Sequence, residues 1–334
     1  MTSERLEALL ERIAIALERL ADGASRVPTT TKDGLQDVRT ELNDYGRTMV
    51  PVNYTTSDPV IPSSRLLIDY LASRNIRIKS IPTPDAADKE IDSLSLFLGE
   101  NYTALASILS KIKRNMQNGG TITEDLSSRP PSVISANCQF CYRLHKIAFL
   151  EEYYYRRSPC CMIHAKTTKL PRAQKFFSGQ WLERFILHKL KVIHSRLGQG
   201  DAQSRSFEYL INPQIVLPSS HDFELDILAA IGRNIYWVEA KTGEYQQHIT
   251  KYSRVGRILG LDPAHSFLVL TDVSDTLCEH LSATSSLSVC NLSQFESRFL
   301  SVVRSDLGAL SIVPGRTSDS AQTNVAETEL SAAS

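Results

Sequence analysis

The chain has 334 residues, equal numbers of basic and acidic side chains, and an apolar fraction of 42%. This length exceeds that of one ordinary domain and predicts two compact units. The zero net charge excludes a highly basic chain. The ordinary apolar fraction gives no sign of a membrane-embedded chain or a largely disordered one.

The N-terminus begins with a charged, helix-like segment and does not resemble a secretion signal. No uninterrupted apolar run approaches the roughly 18 residues of a membrane span. We therefore expect a cytoplasmic protein without a membrane partner. Six cysteines are too few for a disulfide scaffold in a chain of this length, and a reducing compartment favours burial or metal binding.

The first part of the chain is predicted to be mostly helical. Leucine and isoleucine recur at helical spacing in residues 1–20, which predicts an amphipathic helix. Residues 21–62 are rich in Thr, Ser, Asp and Pro, which predicts a loosely ordered linker. Helical periodicity returns in residues 63–130 and predicts a helical module, whose last helix ends near Gly119 and Gly120 before a linker-like segment.

Residues 175–312 differ in pattern and predict a separate domain, followed by a disordered tail at 313–334. The predicted order is helix, three strands, helix and strand, after which a further helix, a short strand and a final helix follow. Antiparallel strands followed by a helix–strand unit predict a mixed sheet flanked by helices, an α/β fold with α+β character. The strands are expected at 208–217, 222–231, 234–242, 265–273 and 287–291, and the helices at 178–198, 245–260, from Asp275, and 292–307.

A two-residue turn sets the register of a predicted hairpin. Glycine supplies the positive φ that the first central position of such a turn requires, so Gly232 and Arg233 are expected to form the loop. Ile231 then pairs with Asn234, and every further pair lies one residue outward on each strand.

Two acids and one lysine fall on one face of this hairpin. The register places Asp226 opposite Glu239, with Cβ atoms about 5 Å apart, and Lys241 shares that face because side chains alternate with a period of two. Two opposed acids among apolar neighbours are destabilising unless a partner neutralises them. A Mg²⁺ or Mn²⁺ ion resolves the conflict, because Mg²⁺ takes one or two carboxylates and completes its shell with water and phosphate oxygen. The alternative is an ordinary Glu239–Lys241 salt bridge, with Asp226 acting as a cap.

Three segments carry a resemblance to a known family: "GQWLE", "FELDIL" and "WVEAKTG". With their order of helix and strands, they resemble the PD-(D/E)xK nuclease superfamily, most of all the nuclease half of the CRISPR-associated, cyclic-oligonucleotide-activated nucleases. The similarity covers roughly residues 175–300 and implies a restriction-endonuclease-like αβββαβ core.

The resemblance also implies roles for individual residues. Asp226 and Glu239 would bind the metal ion, and the backbone carbonyl of Ala240 would be a further ligand. Lys241 would orient or activate the attacking water. Glu183, on the leading helix, would hold a second metal ion or its waters.

The chain departs from the family in two places. Leu225 stands where the family often has Pro, which is a common variation. The sequence before residue 130 lacks the alternating strands and helices of a Rossmann-like ligand-sensing domain, so activation by a cyclic nucleotide does not carry over.

A basic segment precedes and overlaps the leading helix. From Tyr142 to Arg196, twelve Lys or Arg residues stand against three acids, which predicts contact with a polyanion. An ordinary solvated basic face is the alternative. The candidate nucleic-acid contacts, before the leading helix and on the helix after the hairpin, are Arg156, Arg157, Lys169, Arg172, Lys175, Lys251, Arg254 and Arg257.

The connector at 131–174 contains cysteines that suggest a structural Zn²⁺ site. Cys138 and Cys141 have the Cys-x2-Cys spacing that lets two thiolates chelate one ion. Burial of these side chains in a core is the alternative. Cys278 and Cys290 lie on apolar faces and are expected to be core residues. The candidates for the other ligands are Cys160, Cys161, His164 and His145.

The sequence therefore predicts a Mg²⁺- or Mn²⁺-dependent endonuclease with a helical N-terminal region. DNA is the preferred substrate. Two alternatives stay open: RNA cleavage by the same fold, and a non-catalytic nucleic-acid-binding or regulatory protein. A homodimer is one candidate assembly, because cutting two strands is easiest with two sites, and the sequence does not fix the oligomeric state.

Overall fold

The computed structural model describes residues 49–51, 64–158, 160–197 and 206–310. The predicted helix at 1–20, the predicted tail at 313–334 and most of the predicted linker lie outside the described residues. The chain divides into the units Met1–Thr48 and Met49–Ser334, and all described residues belong to the second unit.

Helices alternate with strands along the described residues. A single π-helical turn, Phe176–Gln180, joins α5 directly to α6. The helices are α1 (Arg65–Ser73), α2 (Asp88–Glu100), α3 (Tyr102–Asn115), α4 (Pro131–Lys146), α5 (Pro171–Lys175), α6 (Trp181–Leu197), α7 (Ile249–Leu259), α8 (Asp275–Thr284) and α9 (Leu292–Leu310). No helix of the described part of the chain is long and apolar enough to cross a membrane.

The strands belong to three sheets. They are β1 (Met49–Pro51), β2 (Arg77–Pro82), β3 (Thr121–Asp125), β4 (Leu150–Arg156), β5 (Met162–Thr167), β6 (Phe207–Ile211), β7 (Gln214–Val216), β8 (Asp222–Glu224), β9 (Ile227–Ile231), β10 (Asn234–Lys241), β11 (Ser266–Leu270) and β12 (Ser288–Asn291). The orders are β12-β11-β10-β9-β6, β1-β2-β7-β8 and β3-β5-β4.

The five-stranded sheet carries the predicted hairpin. Strand β10 pairs in parallel with β11 and antiparallel with β9, so the sheet is mixed and α/β, as predicted. Ile231 pairs with Asn234 and Ile227 pairs with Val238, which confirms the predicted register. The turn glycine, Gly232, has a φ of 63°.

Two apolar cores lie on the two faces of this sheet. Alternation along β10 sends Tyr236 and Val238 into the core beneath α6 and α9, and sends Trp237 into the core beneath α1 and α7. Tyr252, Val255 and Leu259 of α7 pack into the second core. The sheet is therefore buried on both sides, and charged side chains can reach solvent only at its ends.

Two predicted strands are broken, which corrects the sequence-based boundaries. The segment 208–217 splits into β6 and β7 at Asn212-Pro213, because Asn212 adopts a φ of 52° and Pro213 cannot donate a ladder hydrogen bond. The segment 222–231 splits into β8 and β9 around Leu225 and Asp226. The outer pieces, β7 and β8, join β2 in the four-stranded sheet, so Asp226 lies where the chain passes between sheets.

The first half of the described chain contains more strand than predicted. Residues 121–125, expected to be linker, form β3, and residues 77–82 form β2 within the segment predicted as helical. The connector also contains the strands β4 and β5; β5 pairs with β3, and β4 pairs with β5. One apolar core includes residues from α2, α3, α4, β5, α6 and α9, so these elements pack as one body.

Candidate active site

The two acids and the lysine of the hairpin meet at the end of the five-stranded sheet. The Nζ atom of Lys241 lies 2.8 Å from Oδ2 of Asp226 and 3.2 Å from Oε2 of Glu239. The backbone N–H of Asp226 donates to Oε1 of Glu239 at 3.1 Å. The prediction that these side chains share one face and one end of the hairpin is confirmed by this geometry.

Backbone and ring donors fix the orientation of both carboxylates. The N–H of Ala240 donates to Oδ2 of Asp226 at 2.8 Å, and Nε1 of Trp237 donates to Oε1 of Glu239 at 3.1 Å. Asp226 and Glu239 are 4% and 2% exposed, so almost no water solvates them. Their charge must be balanced by groups of the protein or by a bound cation.

The electrostatic state of the site follows from this burial. Burial, followed by repulsion from Asp226, raises the pKa of Glu239 to about 8. Although burial opposes it, attraction by Glu239 and Asp226 raises the pKa of Lys241. Lys241 therefore stays protonated near neutral pH, and its Nζ also lies 5.6 Å from the centre of the Tyr252 ring.

Glu183 approaches the same site from α6. Burial and then repulsion from Asp226 raise the pKa of Glu183 to about 7. The side-chain amide of Asn212 donates to Oε2 of Glu183 at 2.8 Å, and the backbone N–H of Asn212 donates to the carbonyl of Asp226 at 3.0 Å. The structure thus brings together all four predicted catalytic residues, with Asn212 linking the helix to the hairpin.

The donor set fits a hard divalent cation. If every carboxyl of Glu183, Asp226 and Glu239 is ionised, Lys241 leaves two negative charges unbalanced. The described residues contain no group of three or more His, Cys, Asp or Glu side chains close enough to hold a metal by themselves. Mg²⁺ does not need such a cage, because one or two carboxylates suffice when water and substrate complete the shell.

The backbone carbonyl of Ala240 is available on the same side. In an antiparallel ladder the N–H and C=O of one residue point toward the same neighbouring strand, and the N–H of Ala240 points to Asp226. Asp226, Glu239 and the Ala240 carbonyl are therefore the groups that could hold the ion.

The candidate nucleic-acid contacts have different surroundings. Arg172 forms an ion pair with Asp85 at 3.1 Å, so its charge is already balanced. Lys251 lies over the ring of Phe223 at 4.7 Å. The remaining six side chains are exposed, as predicted for surface contacts: Arg156, Arg157, Lys169, Lys175, Arg254 and Arg257.

The structure does not place all the predicted zinc ligands together. His164 stacks on the exposed Tyr154 on the open face of the three-stranded sheet, whereas Cys141 is buried in the core on its other side. Burial raises the pKa of Cys141 and Cys138 in the metal-free protein. Cys141 is buried, as the packing alternative predicts, whereas Cys138 is only half-buried, and zinc binding by these cysteines stays a prediction.

The other predicted ligands of that site have different partners. The Nδ1 atom of His145 lies 3.2 Å from the carbonyl of Leu150. Cys160 lies near Arg156, and Cys161 lies near the carbonyl of Arg157. All six cysteines are free thiols, and Cys278 and Cys290 are buried, as predicted for core residues.

Two residues near the site were not identified from the sequence. Asn212 had one usable signal, because Asn followed by Pro at the end of a strand favours a turn and Asn tolerates positive φ. Lys113, near the C-terminal end of α3, lies with its Nζ 3.5 Å from the carbonyl of Thr242. No sequence signal distinguishes it from the other lysines of that helix.

Comparisons with known proteins give distant structural similarities. No protein-family model matches the chain, and no curated protein matches it significantly. The crystal structure of protein VC1899 from Vibrio cholerae is similar with a TM-score of 0.47 and 16% identity, over 79% of this chain and 67% of that one. Can2 from Sulfobacillus thermosulfidooxidans, solved with cyclic tetra-adenylate, gives a TM-score of 0.46 and 14% identity, over 70% of this chain and 60% of that one.

Proposed function

We propose that this chain is a Mg²⁺- or Mn²⁺-dependent endonuclease that hydrolyses phosphodiester bonds in DNA. The observation that carries the proposal is the pair of buried carboxylates, Asp226 and Glu239, held together with Lys241 at one end of a mixed sheet. The order α6, β6, β9, β10, α7, β11 around this pair supports a restriction-endonuclease-like core.

The buried acids would hold the metal ion. The hydrogen bonds from Ala240 and Trp237 keep the two carboxylates oriented without the ion, which lowers the reorganisation needed on binding. A divalent cation in this position supplies Lewis acidity, which lowers the pKa of a bound water and neutralises charge on the phosphate.

Lys241 contributes positive charge beside the attacking water. Although burial opposes it, attraction by Glu239 and Asp226 raises the pKa of Lys241 in the metal-free protein, so its ammonium is protonated at neutral pH and would orient that water. Its side chain is 27% exposed and therefore reaches the surface on which a substrate would lie. There it attracts hydroxide and phosphate oxygens together.

Glu183 is the outer acid of the site. Asn212 donates to one of its oxygens, which leaves the carboxylate oriented toward Asp226. In this position Glu183 orients water, or waters of a second ion. All these groups would act on the phosphate and on water, and none would contact the sugar. They therefore do not distinguish DNA from RNA, and RNA must be tested beside DNA.

The test is cleavage by the purified full chain of supercoiled plasmid, single-stranded DNA and RNA, each with Mg²⁺, Mn²⁺ or a chelator. We expect metal-dependent cutting that Lys241→Ala removes while its melting curve remains cooperative. Arg65→Ala, which removes a side chain that is 82% exposed, is the matched control and should cut like the wild type. No cutting with either metal would reject the proposal, and full activity of Lys241→Ala would reject the role of that lysine.

A further inference from the structure

A cleft of about 330 Å³ opens beside Lys241. It lies between the C-terminal part of α3, which contributes Lys113, the π-helical turn at Ser178, and Thr242 and Gly243 after β10. A ligand in this cleft would adjoin the carboxylate pair, because Lys241 lines the cleft and binds both acids.

Lys113 has no ion-pair partner among the described residues. No carboxylate of the described chain lies within ion-pair distance of its Nζ; burial lowers the pKa of Lys113, and attraction by the more distant Asp272 opposes that shift. Lys111, on the same helix, shows the usual solution, with its Nζ 2.7 Å from Oε2 of Glu124. A partly buried cation without a paired acid is unfavourable in the free protein and becomes favourable when an anion binds.

A hydrogen bond fixes two of the segments that line the cleft, and the space beside Gly243 is open. The hydroxyl of Thr242 donates to the carbonyl of Ser178 at 3.1 Å, which ties the segment after β10 to the π-helical turn. A Cβ atom at Gly243 would meet no atom within 4 Å, so there is room for a ligand at this point. The one acid lining the cleft, Glu244, is exposed, where solvent screens its charge.

We infer that this cleft binds the phosphate next to the one that is cut, with Lys113 as its anchor. The inference rests on the proposed function and names a second phosphate subsite on a polynucleotide substrate. Lys113 provides a compact positive charge for the phosphate oxygens, and Ser178, whose hydroxyl donates to the carbonyl of Lys175, lines the same cleft. Lys175 is exposed one turn before Ser178 and would continue this basic surface.

Binding without metal tests the subsite independently of catalysis. A short fluorescein-labelled single-stranded DNA is titrated with the full chain in chelator, at several salt concentrations. We expect Lys113→Met to raise Kd about tenfold and to reduce the slope of log Kd against log salt by about 0.7–0.9. Lys113→Arg should restore most of the affinity. Arg114→Met removes an adjacent, exposed cation of the same helix and should bind like the wild type.

Kinetics on two substrates separate the subsite from the chemistry. With the labelled DNA, Lys113→Met should raise KM and change kcat little. With bis(p-nitrophenyl) phosphate, which has no neighbouring phosphate, it should match the wild type. Unchanged binding and KM in a folded Lys113→Met variant would overturn the subsite while leaving the nuclease proposal intact. Failure of the wild type to bind or cut any substrate would instead reject the proposed function, and the subsite with it.

Discussion

Two ion clusters in this protein each join one cation to two carboxylates, and they distribute solvent exposure in opposite ways. In the first, the Arg184 side chain is 5% exposed, whereas its partners Asp88 and Asp92 are 24% and 58% exposed. In the second, the Lys241 side chain is 27% exposed, whereas the side chains of Asp226 and Glu239 are 6% and 2% exposed.

The difference shows what each cluster can do. Water solvates the acids around Arg184, so that cluster needs nothing more and stabilises the packing of α6 on α2. The acids beside Lys241 have no such access to water, and one ammonium cannot neutralise both together with Glu183 when all three acids are ionised. Burial of the acids and exposure of the cation therefore support the proposal that a cation and a substrate from solution complete the second cluster.

Cleavage is the property on which the two clusters should differ most. Glu239→Gln and Asp226→Asn remove a metal ligand and should slow cleavage about 10²–10⁴-fold. Asp92→Asn makes the same chemical change in the first cluster and should cleave at the wild-type rate. The measurement is the single-turnover rate on plasmid DNA in Mg²⁺. Equal losses in Asp92→Asn and Asp226→Asn would show that the comparison has no functional meaning.

The free energy of unfolding, measured in chelator, should also fall more when the second cluster is altered than when the first is. Lys241→Met leaves two buried acids opposed without a cation, and should lower the free energy of unfolding by about 2–3 kcal/mol at pH 8. Asp92→Asn removes an exposed partner and should cost about 1 kcal/mol or less. Urea unfolding measures both variants against the wild type. A smaller loss in Lys241→Met than in Asp92→Asn would contradict the proposed role of that lysine.

The pH dependence of the metal-free protein gives a smaller effect of definite sign. The folded pKa values of Glu183 and Glu239, about 7 and about 8, exceed their ordinary 4.5. The folded protein therefore binds protons that the unfolded chain releases above pH 4.5, and stability falls as pH rises from about 5 to 8. The raised pKa of Lys241 adds no slope there, because that lysine is protonated in both states.

The melting temperature in chelator across this pH range measures that slope. Glu239→Gln should flatten the decline, whereas Asp92→Asn should retain it. Added Mg²⁺ should raise the melting temperature more at pH 8 than at pH 5, since it binds the ionised carboxylates. A melting temperature that rises from pH 5 to pH 8 in chelator would be incompatible with these pKa values.

Removing the hydrogen bond from Asn212 to Glu183, which links α6 to the hairpin, should give the smallest of these changes. Asn212→Gly keeps the positive φ of this position and removes the hydrogen bond to Glu183, so kcat should fall about tenfold with little change in KM. Thermal melting checks that the fold persists. A wild-type kcat would show that Glu183 needs no positioning by Asn212.

The site could be predicted from the sequence where one local feature fixed a long-range relation. The turn at Gly232 determines the register of the whole hairpin, so Asp226 and Glu239 follow by counting outward from it. The apolar face of α7 could be predicted in the same way, because helical periodicity is local. No local feature of this kind relates the predicted zinc ligands, since nothing in the sequence determines which face of β5 packs against α4.

Other features depend on packing that a pattern does not encode. Phe223, Leu225 and Ile227 keep an apolar period of two from β8 into β9 while the chain changes sheets, and side-chain alternation does not report the partner strand. Lys113 meets Thr242 only because α3 docks beside the end of β10. Three consecutive tyrosines in β4, at 153–155, obscure the alternation that would have identified that strand.

The most direct test of the central claim is Mn²⁺ binding, followed by the loss of the free-ion electron paramagnetic resonance signal during titration with the full chain. The wild type should bind Mn²⁺ at neutral pH, and the double variant Asp226→Asn, Glu239→Gln should lose that binding while remaining folded, with Asp92→Asn binding like the wild type. Equal Mn²⁺ binding by the wild type and the double variant, or none by the wild type, would contradict the assignment of these two buried acids as a metal site.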